Sequence, residues 1–289
     1  MEINQFTKQY PLKRAFITGA ASGLGRALCV ALAKDAWLIG ISDINEEQLA
    51  VTEKLIKTFG GRSLLYNLDV SNRKQYKSVA ENFLKEAGGI DLLINNAGIA
   101  DVGEFDSYSL ERWDNTIAIN QMGPIHGCYF FIPTLKKQQS GHIINIASAA
   151  AFVSRNGMSS YNVTKAAVLS LSETLYYELK GFGVNVSVAT PTFFETNIMQ
   201  FNQSDKDTHH IAQLMLATSG MQAETIAETI LSSAAKGVVQ IVTPFQAKWL
   251  YLLKRFSPRL FRWLMLKVGQ DKQKMLNRLN RKKAKMQQK

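Results

Sequence analysis

The sequence predicts an α/β protein built on a doubly wound parallel sheet of about seven strands, with helices covering both faces. Short apolar or β-branched runs alternate from Arg14 onward with longer stretches whose apolar residues recur with the helical period. Cap-forming residues stand where strands give way to those stretches: Asp43 or Asn45 after the second run, and Ser71 after the third. There is no internal repeat and no low-complexity segment except a basic end.

The strand candidates, in order, are RAFIT (14–18), WLIGIS (37–42), RSLLYN (62–67), IDLLIN (90–95), HIINIA (142–147), VNVSVAT (184–190) and VVQIV (238–242). Gly25–Lys34 and Thr164–Leu179 are among the helical stretches between them. The segment from Thr192 to about Gln222 breaks the rhythm. In a doubly wound sheet, ligands sit beyond the carboxyl ends of the strands, so an insertion after strand 184–190 is placed to cover a substrate. This gives two parts: a nucleotide-binding catalytic unit at 1–244, with its substrate loop near 192–222, and a C-terminal extension at 245–289.

The first strand runs into TGAASGLGRA (18–27). Gly19, Gly23 and Gly25, with Ser22 and Leu24 between them, lie where a helix N-terminus offers free N–H groups and a positive dipole end to a phosphate. Glycine allows the tight turn and the close backbone approach that a pyrophosphate needs, although a turn also calls for glycine on structural grounds alone. The spacing G-x-x-x-G-x-G is neither G-x-G-x-x-G nor a P-loop, which would end in Gly-Lys-Ser/Thr. Asp43 closes the second strand, where a carboxylate accepts hydrogen bonds from an adenosine ribose and repels a 2′-phosphate. Two unit charges about 4 Å apart interact by about 1 kcal/mol in water and about 4 at an effective dielectric near 20, enough for tenfold discrimination. No Lys or Arg adjoins Asp43 in sequence, and Ser22 rather than a basic residue precedes Gly23, so the expected cofactor is NAD rather than NADP. The simpler role for Asp43 is to cap the next helix.

Further along, NNAG (95–98) ends a strand, Asn120 follows in a helical stretch, Ser148 ends another strand, and Tyr161 and Lys165 stand four apart on one helix face. With the glycine turn, Asp43 and LDV (68–70), this ordered set resembles the short-chain dehydrogenase/reductase family, across residues 13–244. The resemblance implies a Rossmann-like fold and hydride transfer between nicotinamide and a CH–OH carbon. It makes Tyr161 the general acid/base and gives Lys165 two tasks, lowering the tyrosine pKa and holding the nicotinamide ribose. Ser148 would hydrogen-bond the substrate oxygen, and Asn120 would hold a water that relays protons. A free tyrosine titrates near 10, so a nearby cation is needed to favour phenolate at neutral pH. Asp69 and Val70 resemble the adenine-side contact, and Asn96, Ala97 and Gly98 the turn beside the cofactor. After strand 184–190 the family reads Pro-Gly, whereas here Pro191 precedes Thr192; Phe194 and Thr196 would meet the carboxamide side of the nicotinamide.

The expected substrate pocket, lined by Ala150, Phe152, Met158, Phe193 and Met199, is apolar. It suits a hydrophobic secondary alcohol or ketone, such as a steroid-, retinoid- or lipid-like molecule. Arg155 is the exception: it could pair with an acidic substrate group, although the simpler reading is a solvated surface arginine. His209 and His210 have no partner at metal-ligand spacing, so no metal site is expected. Rival readings are an NADP-dependent carbonyl reductase of the same fold and a non-catalytic nucleotide sensor tethered by its tail.

Of the net charge of +11, the tail carries +13 (14 Lys/Arg and one Asp within 245–289), leaving 11 − 13 = −2 for the body. KWLYLLKRF (248–256) and SPRLFRWLMLK (257–267) read as two basic amphipathic helices, with Ser257 as N-cap and Pro258 in the first turn. They suit peripheral contact with an anionic membrane, or docking on the body or on a second subunit; nucleic acid is the least favoured partner. The family resemblance adds a homo-oligomer, dimer or tetramer, with the helix of Tyr161 at its interface. The N-terminus has no apolar signal-peptide core, and no run reaches the roughly 18 apolar residues of a membrane span. Cys29 and Cys128 lie in apolar helical stretches and read as buried free thiols of a reducing compartment. The expected location is cytoplasmic, with the inner face of a membrane as the place of any peripheral contact.

Overall fold

The computed structural model describes residues 3–192, 214 and 221–269. In chain order the elements are α1 (Ile3–Gln9), β1 (Arg14–Thr18), α2 (Gly23–Ala33), β2 (Leu38–Asp43), α3 (Glu46–Thr58), β3 (Arg62–Asn67), α4 (Arg73–Ala87) and β4 (Leu92–Asn95). Then come α5 (Leu110–Ile117), a π-helical turn (Ala118–Met122), α6 (Gly123–Gln138), β5 (Gly141–Ile146), α7 (Ala150–Val153) and α8 (Ser159–Leu179). The chain continues with β6 (Val184–Pro191), α9 (Ala223–Ala235), β7 (Gln240–Thr243), α10 (Phe245–Phe256) and α11 (Pro258–Gly269).

The seven strands are all parallel, in the order β3-β2-β1-β4-β5-β6-β7. The order reverses between β1 and β4, and at that switch point a crevice opens beyond the strand ends. Side chains alternate across the sheet. Ile17, Ile39, Ile94 and Ile144 pack on one face against Leu28 and Leu32 of α2 and Ile230 of α9. Their neighbours Phe16, Leu93 and Ile143 pack on the other against Phe83 of α4, Phe131 of α6 and Leu175 of α8. Each layer holds one cysteine: Cys29 of α2 in the first and Cys128 of α6 in the second, both buried.

All seven strand candidates form strands. The second shifts to Leu38–Asp43 because Trp37 is drawn into a buried aromatic cluster with Phe6 of α1. Helix α1 was not expected from the sequence. It lays Phe6 and Tyr10 beneath the amino ends of the strands, next to the His142 ring. His142 Nε2 bonds Ser187 Oγ at 2.9 Å, while Nδ1 has no hydrogen-bond partner among the described residues.

The caps divide differently from the sequence reading at one place. Asn45 caps α3, its side chain accepting from Gln48 N at 3.0 Å. Asn72, not Ser71, caps α4 by accepting from Gln75 N at 3.1 Å. The Ser71 hydroxyl is taken by Asp69 Oδ1 at 2.7 Å, so the helix starts one residue later. Apart from Thr192, Leu214, Met221 and Gln222, the substrate-loop segment lies outside the described residues, as does the tail beyond Gly269.

Candidate active site

The glycine turn is held by the β4 turn beside it. Asn96 Nδ2 donates to the carbonyls of Thr18 and Gly19, both at 3.0 Å, and Asn96 N and Ala97 N donate to Thr18 Oγ1 at 3.0 and 3.1 Å. Gly19 has φ +67°, and a Cβ there would lie 2.8 Å from Ala97 Cα; a Cβ on Gly25 would lie 2.0 Å from Gly19 O. These two glycines therefore have no alternative if α2 is to start this close to the strand ends. Ser22 precedes α2 with no side-chain hydrogen bond to the helix, so no side chain of its own competes with a phosphate there. Leu24 is buried beneath the turn.

Asp43 does not cap α3. Its Oδ2 accepts from Ala21 N at 3.1 Å and its Oδ1 from Asn45 N at 3.0 Å, which fixes the carboxylate beside the glycine turn. Arg26 lies close in space, which its sequence position did not signal: Nε donates to Thr52 Oγ1 at 3.0 Å, and Nη2 donates to Gln48 Oε1 at 2.9 Å and to the Ala21 carbonyl. Asp69 faces Ser71, and Val70 is buried against Gly123, its carbonyl accepting from His126 Nδ1 at 3.0 Å. This crevice, with an uncapped helix N-terminus at one end and a fixed carboxylate at the other, fits a dinucleotide.

The second half of the site gathers at the ends of β4, β5 and β6. Ser148 follows β5, and its Oγ bonds the Pro191 carbonyl at 3.4 Å and accepts from Ala150 N at 3.2 Å. It also hydrogen-bonds Tyr161 on α8. Burial pushes the Tyr161 phenol up to about 12, and the bond from Ser148 opposes that rise. Lys165, one turn on, is 2% exposed and is brought down to about 8 by burial. Its Nζ lies 5.7 Å from the Tyr161 ring centroid and donates to Ile146 O at 3.0 Å. A Cβ on Gly98 would lie 3.1 Å from Asn120 Oδ1 and 3.3 Å from Lys165 Nζ, so the missing side chain leaves room for both. Asn120 sits in the π-helical turn, fully buried, and exchanges two 2.8 Å hydrogen bonds with the backbone of Ile99. The four candidate catalytic side chains are thus brought together, and burial raises the Tyr161 pKa where the sequence reading expects it lowered.

Of the expected pocket residues, Ala150 and Met158 pack with Tyr161. Ala100 and Val102 join them; the sequence reading missed both, and their only signal was their place just after NNAG. Phe152 points elsewhere: its ring meets Tyr251 of α10 at 5.2 Å, and it clusters with Val242 and Ala247. Arg155 is partly buried, which lowers its pKa, rather than lying in open solvent. Phe193, Phe194, Thr196 and Met199 lie outside the described residues, as do His209 and His210.

A polar network the sequence did not signal braces the start of α8. Arg112 of α5 holds buried Asp101 by a two-pronged contact, with Nε to Oδ2 at 2.8 Å, and stacks 4.2 Å from the Tyr108 ring centroid. Tyr108 Oη donates to Asp101 Oδ2 at 3.0 Å and accepts from Ser160 Oγ at 3.2 Å, next to Tyr161.

Residues 13–207 match the family described as short chain dehydrogenase. The chain is 33% identical over 257 residues to the probable oxidoreductase EphD of Mycobacterium tuberculosis, a match covering 85% of this chain but 43% of that protein, so it spans less than half of that relative's length. It is 30% identical over 223 residues to the 3-oxoacyl-(acyl-carrier-protein) reductase FabG of Thermotoga maritima, covering 77% of this chain and 90% of that one. A short-chain dehydrogenase/reductase from Burkholderia phymatum, solved in complex with NAD, superposes with a TM-score of 0.81 at 30% identity, covering 86% of this chain and 94% of the other.

Proposed function

The chain belongs to the short-chain dehydrogenase family, and from that premise we propose that it moves a hydride between nicotinamide and the carbon of a hydrophobic secondary alcohol or ketone. The observation that carries this reading is the meeting of Ser148, Tyr161 and Lys165 at the strand ends, beside the Asn120–Gly98 contact. Bound nicotinamide supplies the hydride acceptor in oxidation and the donor in reduction. In oxidation, the Tyr161 phenolate takes the hydroxyl proton of the alcohol while the Ser148 hydroxyl hydrogen-bonds the same oxygen. The hydride then leaves the carbon and a carbonyl forms; reduction runs the same steps backward. Burial opposes the phenolate, so the Lys165 ammonium and the positive charge of the oxidised ring are both needed to bring Tyr161 toward neutral pH. Lys165 also holds the ribose. Because the Asn120 side chain is spent on Ile99, that residue would act through the main chain of its widened turn, holding a water that relays protons from Lys165 to solvent.

NAD is favoured over NADP because Asp43 is fixed beside the glycine turn, while Nε and Nη2 of nearby Arg26 are engaged by Thr52, Gln48 and Ala21. Ala100, Val102, Ala150 and Met158 make an apolar wall next to Tyr161, which supports a hydrophobic, steroid-, retinoid- or lipid-like substrate. The catalytic unit is 1–244 and the extension 245–289. A homo-oligomer is part of this reading, and Tyr129 of α6 with Val163 and Tyr177 of α8 leaves exposed surface for it. Peripheral contact with an anionic membrane through the tail is the other expected association.

The test is NADH formation over a panel of apolar secondary alcohols, with Tyr161→Phe alongside. Turnover in the parent, abolished in the variant with NAD binding retained, supports the reading. Cofactor binding without turnover of any alcohol or ketone overturns it in favour of a nucleotide sensor.

A further inference from the structure

In a parallel sheet every strand ends on the same edge, so whatever follows a strand starts on the edge that holds the ligand crevice. Helix α10 begins at Phe245, just after β7 ends at Thr243, and Pro191 of the Ser148 corner is the register partner of Thr243. The tail helices therefore start on the active-site edge. Ala247 and Tyr251 turn inward onto Phe152 of α7, and Lys254 Nζ donates to the Phe152 carbonyl at 2.6 Å. The opposite face of α10 carries Phe245, Trp249, Leu252 and Phe256, spaced by four, three and four residues, all exposed; Trp249 is 67% and Phe256 79% exposed. The amphipathic stripe thus points away from the body rather than onto it, and the docking of α10 on its own domain uses its other side.

Helix α11 repeats the pattern. Phe261 turns inward at 5% exposure, whereas Leu260, Trp263 and Leu266 are exposed. Between and beside these apolar side chains stand exposed Lys248, Arg255, Arg259, Arg262 and Lys267, and no acidic residue occurs between Glu228 and Asp271. Lys248 and Lys267 lie 5.2 and 3.9 Å from the Phe245 and Trp263 ring centroids, so their stems run along the aromatic surface with the charge at its margin. A second copy of this chain would meet cations with cations across such a face. A surface of fixed negative charge over hydrocarbon matches both features.

The geometry points to α10 and α11 as an interfacial docking face for an anionic lipid bilayer, one that turns the active-site edge toward the membrane so that an apolar substrate enters from the lipid. The delivery half rests on the oxidoreductase reading; the docking half does not.

The full chain is floated with phosphatidylcholine vesicles containing phosphatidylglycerol, and with vesicles of phosphatidylcholine alone. Binding to the first, with a blue shift of tryptophan emission, supports docking. Lys248→Gln and Arg259→Gln each weaken it about fivefold, from about 1 kcal/mol per cation. Trp249→Ala/Phe256→Ala weakens it at least tenfold with an unchanged melting temperature. Equal flotation of parent and variants overturns docking. So does an aromatic-to-alanine variant that sediments as a smaller assembly while the parent ignores vesicles, since the face then joins two copies. For delivery, turnover of a long-chain ketone dissolved in the vesicles falls with the docking variants while turnover of a short water-soluble ketone does not; equal rates on both overturn it. Vesicle binding with no turnover of either ketone overturns the oxidoreductase reading and leaves docking standing.

Discussion

The Lys165 ammonium donates to the Ile146 carbonyl oxygen at 3.0 Å, tying the middle of α8 to the last residue of β5. The bond fixes where the charge sits, and burial makes that charge costly. Because the folded pKa falls from 10.5 to about 8, the unfolded chain binds the extra proton between those values, and the full penalty stands below pH 8. That penalty is roughly 3 kcal/mol. Lys165→Met is therefore expected to lose turnover yet melt a few degrees higher at pH 7, after the loss of one hydrogen bond is set against the relief. Calorimetry of parent and variant at pH 7 and pH 10 checks it; the advantage shrinks at the higher pH.

Asp43 holds its place by accepting two backbone N–H groups, and on the proposed reading its charge is what repels a 2′-phosphate. Asp43→Asn keeps one of the two acceptor oxygens and removes the charge. The expected outcome is a loss of NAD preference by tenfold or more, read as the ratio of NADH to NADPH dissociation constants.

Asp101 is almost fully enclosed by Arg112 and Tyr108. Asp101→Asn leaves a partly buried guanidinium without its counter-charge and is expected to cost about 3 kcal/mol of stability. Tyr108→Phe removes the hydroxyl's hydrogen bonds to Asp101, Thr116 and Ser160 but keeps the Asp101–Arg112 ion pair, and is expected to lower kcat more than it alters NAD binding. Urea unfolding and steady-state kinetics of the two variants separate these effects.

His142 is held neutral beneath the sheet, its pKa lowered to about 3 by burial. From about 6.5 down to about 3 the unfolded chain binds a proton that the folded chain refuses, so stability falls as pH falls through that window. Between pH 6.5 and pH 5 the loss is about 2 kcal/mol. His142→Gln should flatten this slope, as measured by urea midpoints across the range.

The alternation of strands and helices was legible because each strand is a compact apolar run, and the ordered polar set was legible because each member closes a strand or lies on one helix face. What the sequence did not carry was competition between neighbours. Ser71 has cap chemistry, yet Asp69 captures its hydroxyl and passes the cap to Asn72. Phe152 has the character of a pocket wall, yet Tyr251, far away in sequence, claims its ring. The Asp101–Arg112–Tyr108 brace joins residues whose types suit any solvated loop, so nothing marked them before the chain folded. The outward turn of the tail stripe is hidden for the same reason: an amphipathic pattern says that a helix has two sides, not which one the body takes.

The two cysteines lie in opposite layers of the sheet, Cys29 under α2 and Cys128 under α6, and burial raises both thiols, Cys128 to about 12. The thiolate, the form that reacts, is scarce in the closed protein. Alkylation of each sulfur is then a stopwatch on the opening of its own layer. Followed by mass spectrometry at increasing urea, equal rates at the two sulfurs describe a molecule that opens as one body. Unequal rates identify the side of the sheet that peels first.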